Sequence, residues 1–244
     1  MRVAIVIPTY NERDNIVQLT QRLEAVFSNN NLHGTIIVVD DNSPDGTGLM
    51  AEELSRSFGN IMVIHRPSKL GVGSAYIEGF LKALNADSDV IFEMDADLSH
   101  DPEQVPAFIE KISIGADVVI GSRYVSGGRI EMWPMSRRII SSMANKMARF
   151  LLGTHLRDLT SGYRAFKSIA LKAIDLSSTK SKGYGFQVEV IHLSNEKKLQ
   201  IVEIPIVFIN RKRGASKLDF KEVFGFLRVI LSIKFNTILK AIFR

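Results

Sequence analysis

The segment VIFEMDADLSHDP, residues 90–102, joins a short apolar run to two closely spaced carboxylates, Asp95 and Asp97. The apolar run is typical of a buried strand. An extended backbone points the side chains of residues i and i+2 to the same side, so the two carboxylates face the same way. Their charges repel unless a cation, a shared proton or basic side chains compensate them. The segment therefore predicts a buried strand that ends at a cation-binding position.

Similar apolar runs flank this segment along the first half of the chain. Strands are predicted at residues 2–8, 35–40, 61–65, 90–94 and 117–121. Helices are predicted at residues 11–27, 49–58, 73–84 and 102–112, with Asn11 capping the first and Asp101 the last. Short apolar strands that alternate with helices favour an α/β fold in which a mostly parallel, Rossmann-like central sheet is flanked by helices.

Polar side chains follow four of the predicted strands, at residues 9–12, 40–43, 95–97 and 122–123. Ligands of open parallel sheets bind at the carboxyl ends of the strands, so the four clusters predict one shared site. Helix capping by Asn, Asp and Ser would explain each cluster singly, but it explains all four together less well. His100 is expected to cap the next helix or to stay solvated rather than enter the site.

Composition excludes several classes of protein. The 244 residues, 45% of them hydrophobic, suit one large α/β domain with or without an appendage. With no cysteine, the chain has neither a disulfide framework nor a thiolate metal site. A net charge of +5 favours anionic partners. The sequence contains neither a Walker loop nor a Gly-x-Ser-x-Gly elbow, and its basic groups lack the interleaved aromatic residues of a nucleic-acid surface.

Two later segments are helical and rich in apolar residues. Residues 133–153 carry an apolar stripe, with Arg138, Lys146 and Arg149 well away from it. This pattern fits a helix packed on the sheet or a helix lying in a membrane interface. Residues 220–244 have scattered cations that can snorkel, which suits an amphipathic interfacial helix better than a transmembrane span. The apolar start of the chain is too short for a signal peptide.

Ordered motifs along the chain resemble those of a known enzyme family. VIPTYNE (6–12), VDDNSPDGT (39–47) and MDADLSH (94–100) resemble family 2 glycosyltransferases, which have the GT-A fold. Five downstream motifs narrow the resemblance to dolichyl-phosphate mannose synthases: GSRY (121–124), RIIS (138–141), DLTSGYR (158–164), GFQVE (185–189) and RKRGASK (211–217). The resemblance runs from about residue 3 to residue 218, and the ordered set is far more specific than any single motif.

The resemblance implies an activity and a domain organisation. The family transfers mannose from GDP-mannose to dolichyl or another polyprenyl phosphate, inverting the sugar carbon with the help of Mg²⁺ or Mn²⁺. Residues 1–218 would form the catalytic domain, with an interfacial helix at about 133–153, and residues 219–244 a C-terminal juxtamembrane helix. The protein would act at the cytoplasmic face of a membrane as a peripheral protein, without nucleic acid, and a separate membrane-anchoring partner is compatible with this arrangement.

The resemblance also assigns roles to residues. The nucleotide-sugar site would comprise Pro8, Tyr10, Glu12, Val39, Asp40, Asp41, Asp95, Ala96, Asp97, Arg123, Arg211 and Lys217. The catalytic residues would be Asp95, Asp97, Arg123, Arg137 and Arg211. Asp95, Asp97 and Ser99 would hold the metal, although Ser99 stands where many relatives carry a metal-binding Gln. Arg213 likewise stands where relatives often carry an aromatic residue.

Two alternatives remain open from the sequence. The same chemistry with UDP-glucose or another nucleotide sugar would use the same carboxylates and arginines. A catalytically silent module that binds a membrane or a nucleic acid would need neither Asp95 nor Asp97. Testing a panel of nucleotide sugars as donors would distinguish the first alternative from transfer of mannose from GDP-mannose. The intact carboxylates Asp95 and Asp97, together with Arg123 and Arg211, argue against the second.

Overall fold

A computed structural model describes residues 1–210, apart from residues 180, 182 and 184, and a last helix at residues 220–242. The strands are β1 (Arg2–Thr9), β2 (His33–Asp40), β3 (Ile61–His65), β4 (Val90–Glu93), β5 (Val118–Ser122), β6 (Arg129–Glu131), β7 (Arg164–Lys167), β8 (Ile201–Pro205) and β9 (Val207–Ile209). The helices are α1 (Arg13–Asn29), α2 (Thr47–Phe58), α3 (Val72–Asn85), α4 (Val105–Ser113), α5 (Met135–Leu152), α6 (Ser168–Ala173), α7 (Gly185–Glu196) and α8 (Phe220–Ile242).

Seven strands form the central sheet in the order β3-β2-β1-β4-β7-β5-β8, and β6 pairs with β9 in a small second sheet. All neighbours in the central sheet are parallel except β7, which runs antiparallel between β4 and β5. The predicted α/β fold with a mostly parallel sheet is therefore confirmed. The strand order reverses between β1 and β4, which is where open sheets of this kind bind ligands.

Apolar side chains cover both faces of the sheet. Along β1, Ile5 and Ile7 pack into the cluster formed with α1, α2 and α4, whereas Ala4 and Val6 pack into the cluster formed with α3, α6 and α7. All four of these side chains are fully buried. The continuous apolar strands seen in the sequence follow from this burial on two faces.

The first helix begins two residues later than its predicted cap, so the prediction for Asn11 was wrong. Asn11 adopts a left-handed conformation with φ of 61°, which Asn tolerates better than most residues. Its backbone N–H donates to the hydroxyl of Ser43, and Glu12 occupies the cap position. The prediction for Asp101 is confirmed, since its carboxylate accepts the backbone N–H of Glu103 at 3.2 Å.

The helix predicted at 133–153 is α5, and its apolar stripe is only partly packed. Small and polar side chains face the core, with Asn145 and Ala148 buried. Ile139, Met143 and Phe150 are exposed, the last by 84%. The centre of the apolar stripe therefore does not pack on the sheet. The interpretation of α5 as a helix packed on the sheet is wrong for that part of the stripe.

The last helix, α8, packs on α5 and α7 through Phe226, Ile230 and Ile233, while Leu231 and Phe235 stay exposed. No helix in the described part of the chain is long and apolar enough to cross a membrane. Apolar surface on α5 and α8 is thus left open without either helix being a membrane span.

Candidate active site at the carboxyl edge of the sheet

Asp95 lies just beyond β4 and is held from two sides. The buried hydroxyl of Tyr76 on α3 donates to its Oδ1 at 2.9 Å. Its backbone N–H donates to Nδ1 of His100 at 3.1 Å, and the His100 ring is only 1% exposed and stacks on Tyr163. His100 is thus neither solvated nor a helix cap, contrary to the sequence prediction. The Asp95 side chain remains 42% exposed, so it is oriented and still open to a ligand.

Asp97 is held by the turn that follows it. Leu98 adopts φ of 61°, which turns the chain back so that the N–H and hydroxyl of Ser99 both donate to Oδ1 of Asp97, at 3.1 and 2.5 Å. Ser99 itself is 2% exposed. The hydroxyl at this position therefore orients the Asp97 carboxylate, whereas direct metal ligation by Ser99 stays a prediction.

The pair Asp95 and Asp97 has the ligand chemistry of a site for a divalent metal. Among the residues that the structure describes, no group of three or more His, Cys, Asp or Glu side chains could hold a metal ion. Mg²⁺ in phosphate-transferring sites typically uses one or two carboxylates and completes its shell with phosphate oxygens and water. Two oriented carboxylates at the sheet edge match that requirement.

The carboxylates after β2 have different roles from each other. Asp40 is buried and accepts the Thr9 hydroxyl at 3.0 Å and the backbone N–H and hydroxyl of Ser43, so it fixes the loops after β1 and β2. Asp41 accepts Nη1 of Arg66 at 2.5 Å. Sequence reasoning missed Arg66, although a cation directly after β3 belongs to the same edge and could have been found by the same rule.

The remaining nucleotide-site predictions fall on the ends of β1 and β2. Tyr10 is partly exposed, with the Lys69 ammonium 3.8 Å from its ring centroid. The backbone N–H of Glu12 donates to the hydroxyl of Thr47. Pro8 and Val39 are register partners across the two strands, and Val39 is fully buried. Ala96 is also buried, at 4% exposed.

Arg123, which follows β5, is clamped by a buried carboxylate. Its Nε and Nη2 donate to the two oxygens of Asp158, each at 2.7 Å, and the backbone N–H of Arg123 adds a third bond. Burial would raise the pKa of Asp158, but the charge and hydrogen bonds of Arg123 hold that pKa below its ordinary value. The guanidinium of Arg123 also lies 5.6 Å from the Trp133 ring centroid. The contact of Arg123 with a phosphate stays a prediction. Asp158 holds the guanidinium that would make this contact in a fixed position.

Arg137 approaches the same aromatic group from α5. Its guanidinium carbon lies 3.9 Å from the Trp133 ring centroid, and its Nη1 donates to the side chain of Asn210. The structure therefore brings the predicted Arg123 and Arg137 close to one indole. The other predicted cations, Arg211 and Lys217, lie outside the described residues.

Comparison with known proteins identifies the family. The model of glycosyl transferase family 2 matches residues 4–175, about two thirds of the chain and all of the edge from β1 to β7. The chain belongs to glycosyl transferase family 2. It is therefore a glycosyltransferase, as the motifs around Asp41, Asp95 and Asp97 implied.

Curated members of the family are similar along most of this glycosyltransferase. Polyprenol monophosphomannose synthase of Mycolicibacterium smegmatis is 44% identical over 219 residues, 89% of this chain and 81% of the relative. Undecaprenyl-phosphate mannosyltransferase of Micrococcus luteus is 44% identical, covering 90% and 88%. Dolichol-phosphate mannosyltransferase of Pyrococcus furiosus is 40% identical, covering 94% of this chain and 63% of the relative.

Solved structures place the glycosyltransferase in the GT-A fold. Glucosyl-3-phosphoglycerate synthase from Mycobacterium tuberculosis, in complex with Mn²⁺, UDP and phosphoglyceric acid, aligns with a TM-score of 0.69 over 96% of this chain and 78% of that chain. The sequence identity is 17%, so this similarity concerns the fold. The GT-A expectation is confirmed.

Two buried charged residues of the glycosyltransferase that sequence reasoning missed, Glu93 and Arg164, lie on neighbouring strands of the central sheet. Glu93, the last residue of β4, is fully buried and pairs in register with Arg164 of β7. Burial raises the pKa of Glu93 to about 7, although the charge of Arg164 lowers it. Arg164 in turn donates to the carbonyls of Leu159 and Gln187. No sequence signal marked this pair, because Glu93 interrupts a strand that otherwise reads as apolar.

Proposed function

We propose that the protein transfers mannose from GDP-mannose to the phosphate of a membrane polyprenol, with inversion at the sugar carbon. The observation that carries the proposal is the pair of oriented, accessible carboxylates, Asp95 and Asp97, in a chain 44% identical to polyprenol-phosphate mannose synthases. The product would be a polyprenyl-phosphate mannose, which serves as a lipid-linked sugar donor for protein glycosylation.

The donor would lie across the ends of β1, β2 and β4. Asp41, fixed by Arg66 and the N–H of Gly71, offers acceptor oxygens for the hydrogen-bond donors of a base. Asp95 and Asp97 would hold a divalent metal, Mg²⁺ or Mn²⁺, which neutralises charge on the departing diphosphate. The Mn²⁺ and UDP in the M. tuberculosis synthase of the same fold support this use of the edge.

The acceptor needs orientation more than deprotonation. A phosphate monoester is already anionic at neutral pH, so no general base has to remove a proton before attack. Catalysis then depends on positioning the acceptor and on stabilising charge. Cations that are already fixed in place do both without any rearrangement of the protein. Arg123, immobilised by Asp158, and Arg137, stacked on Trp133, are such cations. Arg211 and Lys217 would complete the set.

The exposed apolar side chains on α5 and α8 would rest in the membrane that holds the acceptor. Ile139, Met143 and Phe150 of α5 and Phe235 of α8 are each more than half exposed. A helix with such a face and adjacent cations lies in the interface rather than across the bilayer. The protein would thus be a peripheral enzyme of the cytoplasmic face, with or without a separate anchoring partner.

The decisive experiment is transfer of radiolabelled mannose from GDP-mannose to a polyprenyl phosphate in detergent micelles, with and without Mg²⁺ or Mn²⁺. We expect lipid-soluble label that requires a divalent metal and disappears with a chelator. Full transfer in the presence of excess chelator would overturn the assigned role of Asp95 and Asp97.

A second donor, UDP-glucose, is favoured by one observation. The M. tuberculosis synthase of the same fold has also been solved in complex with Mn²⁺ and UDP-glucose. The same assay with UDP-glucose and UDP-N-acetylglucosamine as donors separates the two candidates. Efficient transfer from UDP-glucose, with none from GDP-mannose, would replace the proposed donor and leave the polyprenyl acceptor in place.

A further inference from the structure

A groove of about 520 Å³ lies between β6 and α5. We name it the α5 flank groove and define it by lining residues from β6 and α5: Arg129, Arg138, Ser142, Met143 and Lys146. Arg123 and Tyr124, which follow β5, also line it. Arg123 also belongs to the candidate active site, so the groove adjoins that site, whereas residues 95–99 and Arg137 are not among its described lining residues.

The α5 flank groove is positively charged. No Asp or Glu is among its lining residues in the described part of the chain. The charge of Arg123 is compensated by Asp158, and Arg129 contacts Glu131 in an exposed ion pair. Arg138 donates Nη2 to a backbone carbonyl, while its buried Nε has no hydrogen-bond partner among the described residues. The accessible cation of the groove is Lys146, which is exposed, and no carboxylate among the described lining residues compensates its charge.

The donors on α5 lie in one row along the helix. Arg138, Ser142 and Lys146 are each four residues apart, so they form one row along the helix surface. The row combines a guanidinium, a hydroxyl and an ammonium, and each of these groups donates hydrogen bonds to phosphate oxygens. The row is about 12 Å long, so one anion can contact all three groups only where the long side chains of Arg138 and Lys146 reach toward Ser142.

Apolar side chains border the same row. Ile139 and Met143 line the groove and are 52% and 64% exposed. A free phosphate ion would leave them in water, whereas a lipid with an anionic headgroup would cover them with its first methylene groups. Cations beside an exposed apolar strip match the boundary between headgroups and acyl chains.

We propose that the α5 flank groove binds the phosphate headgroup of an anionic membrane phospholipid that is not a substrate, with Arg138, Ser142 and Lys146 as donors. This inference rests on the proposed reaction at a membrane surface, and it adds a lipid site beyond the acceptor site. The bound phospholipid would orient α5 so that Arg137 faces the acceptor phosphate.

The test compares the binding of the full chain to vesicles of phosphatidylcholine alone with its binding to vesicles that contain phosphatidylglycerol. Lys146→Gln removes a cation that lines the groove, and Arg149→Gln removes an exposed cation of the same helix that does not line it. One cation near an anionic surface contributes about 1 kcal/mol, so the control should lose about fivefold at most. We expect Lys146→Gln to lose about tenfold or more, because a phosphate loses a direct charged bond. Equal losses would overturn the proposal.

Two variants that do not change the charge test whether vesicle binding depends on the groove or only on general electrostatic attraction. Ser142→Phe fills the groove without changing charge, whereas Ser136→Phe adds the same ring elsewhere on α5. Only the first should weaken binding to phosphatidylglycerol vesicles and to short-chain, water-soluble phosphatidylglycerol. Binding of inorganic phosphate with the same affinity as the short-chain lipid would show a free-phosphate site and would contradict the assignment.

Mannose transfer in neutral detergent micelles distinguishes this inference from the proposed function. Lys146→Gln should transfer mannose at the parent rate there, because no phosphatidylglycerol is present. A raised KM for the polyprenyl phosphate in micelles would show that the groove holds the acceptor, which overturns the inference. Loss of transfer by the parent protein itself would refute the proposed function, while the vesicle comparison would still decide the groove.

Discussion

The carboxyl edge of the sheet and the outer face of α5 depart from an ordinary soluble surface in opposite ways. At the edge, charged groups are buried and paired, as Arg66 is with Asp41 and Arg123 with Asp158. On α5, large apolar side chains such as Phe150 are exposed. Buried charges are costly unless they are paired, and exposed apolar patches mark surfaces that meet a partner. These features are those expected of an edge that binds a charged ligand and of a helix face that meets an apolar partner.

The strongest test of the edge is Asp97→Asn, which keeps the shape of the side chain and removes its charge. We expect transfer to fall by on the order of a thousandfold, because the substitution removes a charged ligand of the metal that would neutralise the departing diphosphate. Steady-state mannose transfer measures the loss, and thermal unfolding checks that the fold is retained.

The control for this change is Asp87→Asn, at an exposed turn after α3 with φ of 53° that Asn tolerates. It removes the same charge far from the edge and should leave transfer unchanged. An Asp97→Asn variant as active as Asp87→Asn would mean that the carboxylates after β4 do not take part in the reaction.

The second test breaks the buried pair that fixes Arg123. Asp158→Asn should lower the free energy of unfolding by about 3 kcal/mol, since it leaves a buried guanidinium without its counter-charge. The exposed pair of Asp89 with Arg2 offers a matched control, and Asp89→Asn should cost less than about 1 kcal/mol. Urea unfolding of both variants at neutral pH gives the two values.

The contribution of Asp158 should also depend on pH. The folded pKa of Asp158 is depressed, so its stabilisation is present above its ordinary pKa of 3.8 and is lost as pH falls through the folded pKa. The difference in stability between the parent and Asp158→Asn should therefore shrink in acid. A constant difference from neutral pH to strongly acidic pH would contradict a charged pair.

The contrast between the two regions also explains what the sequence could predict. The third strand lies at its predicted residues, 61–65, and the ends of β1, β2, β4 and β5 meet at one edge as expected, because apolar runs and chain order determine both. Strand β7 was missed because it shows no apolar periodicity. It is only four residues long, with Arg164 at one end and Lys167 at the other. Its place depends on tertiary pairing with β4 and β5.

Side-chain partners were beyond the reach of sequence patterns. Tyr76 and Asp95 are 19 residues apart, and Arg66 and Asp41 are 25 apart, so nothing local indicates either contact. The surroundings of α5 were equally hidden. Periodicity shows that a helix has an apolar stripe, but it does not show whether the stripe meets protein or lipid.

The third test concerns the orientation of Asp95. Tyr76→Phe removes the buried hydroxyl that donates to Asp95, and we expect the metal concentration for half-maximal transfer to rise by about 10- to 100-fold. Tyr163→Phe is the control, because it removes another buried hydroxyl, one that donates to the carbonyl of Asp101 instead. If both variants shift the metal dependence equally, Tyr76 acts through general stability and does not position Asp95.

The smallest effect is expected on the face of α5, where Phe150→Glu places a charge among exposed apolar side chains. The Phe150 side chain is 84% exposed, so the change should leave the fold intact and should weaken binding to vesicles by about tenfold through lost apolar burial. Leu49→Glu on α2, at a side chain 72% exposed, is the control away from this face.

Binding is measured by co-sedimentation at low and high salt. Apolar burial is insensitive to screening, so the Phe150→Glu loss should persist at high salt, whereas the loss from a headgroup cation should fade. Equal losses from Phe150→Glu and Leu49→Glu would mean that the vesicle contacts no particular face.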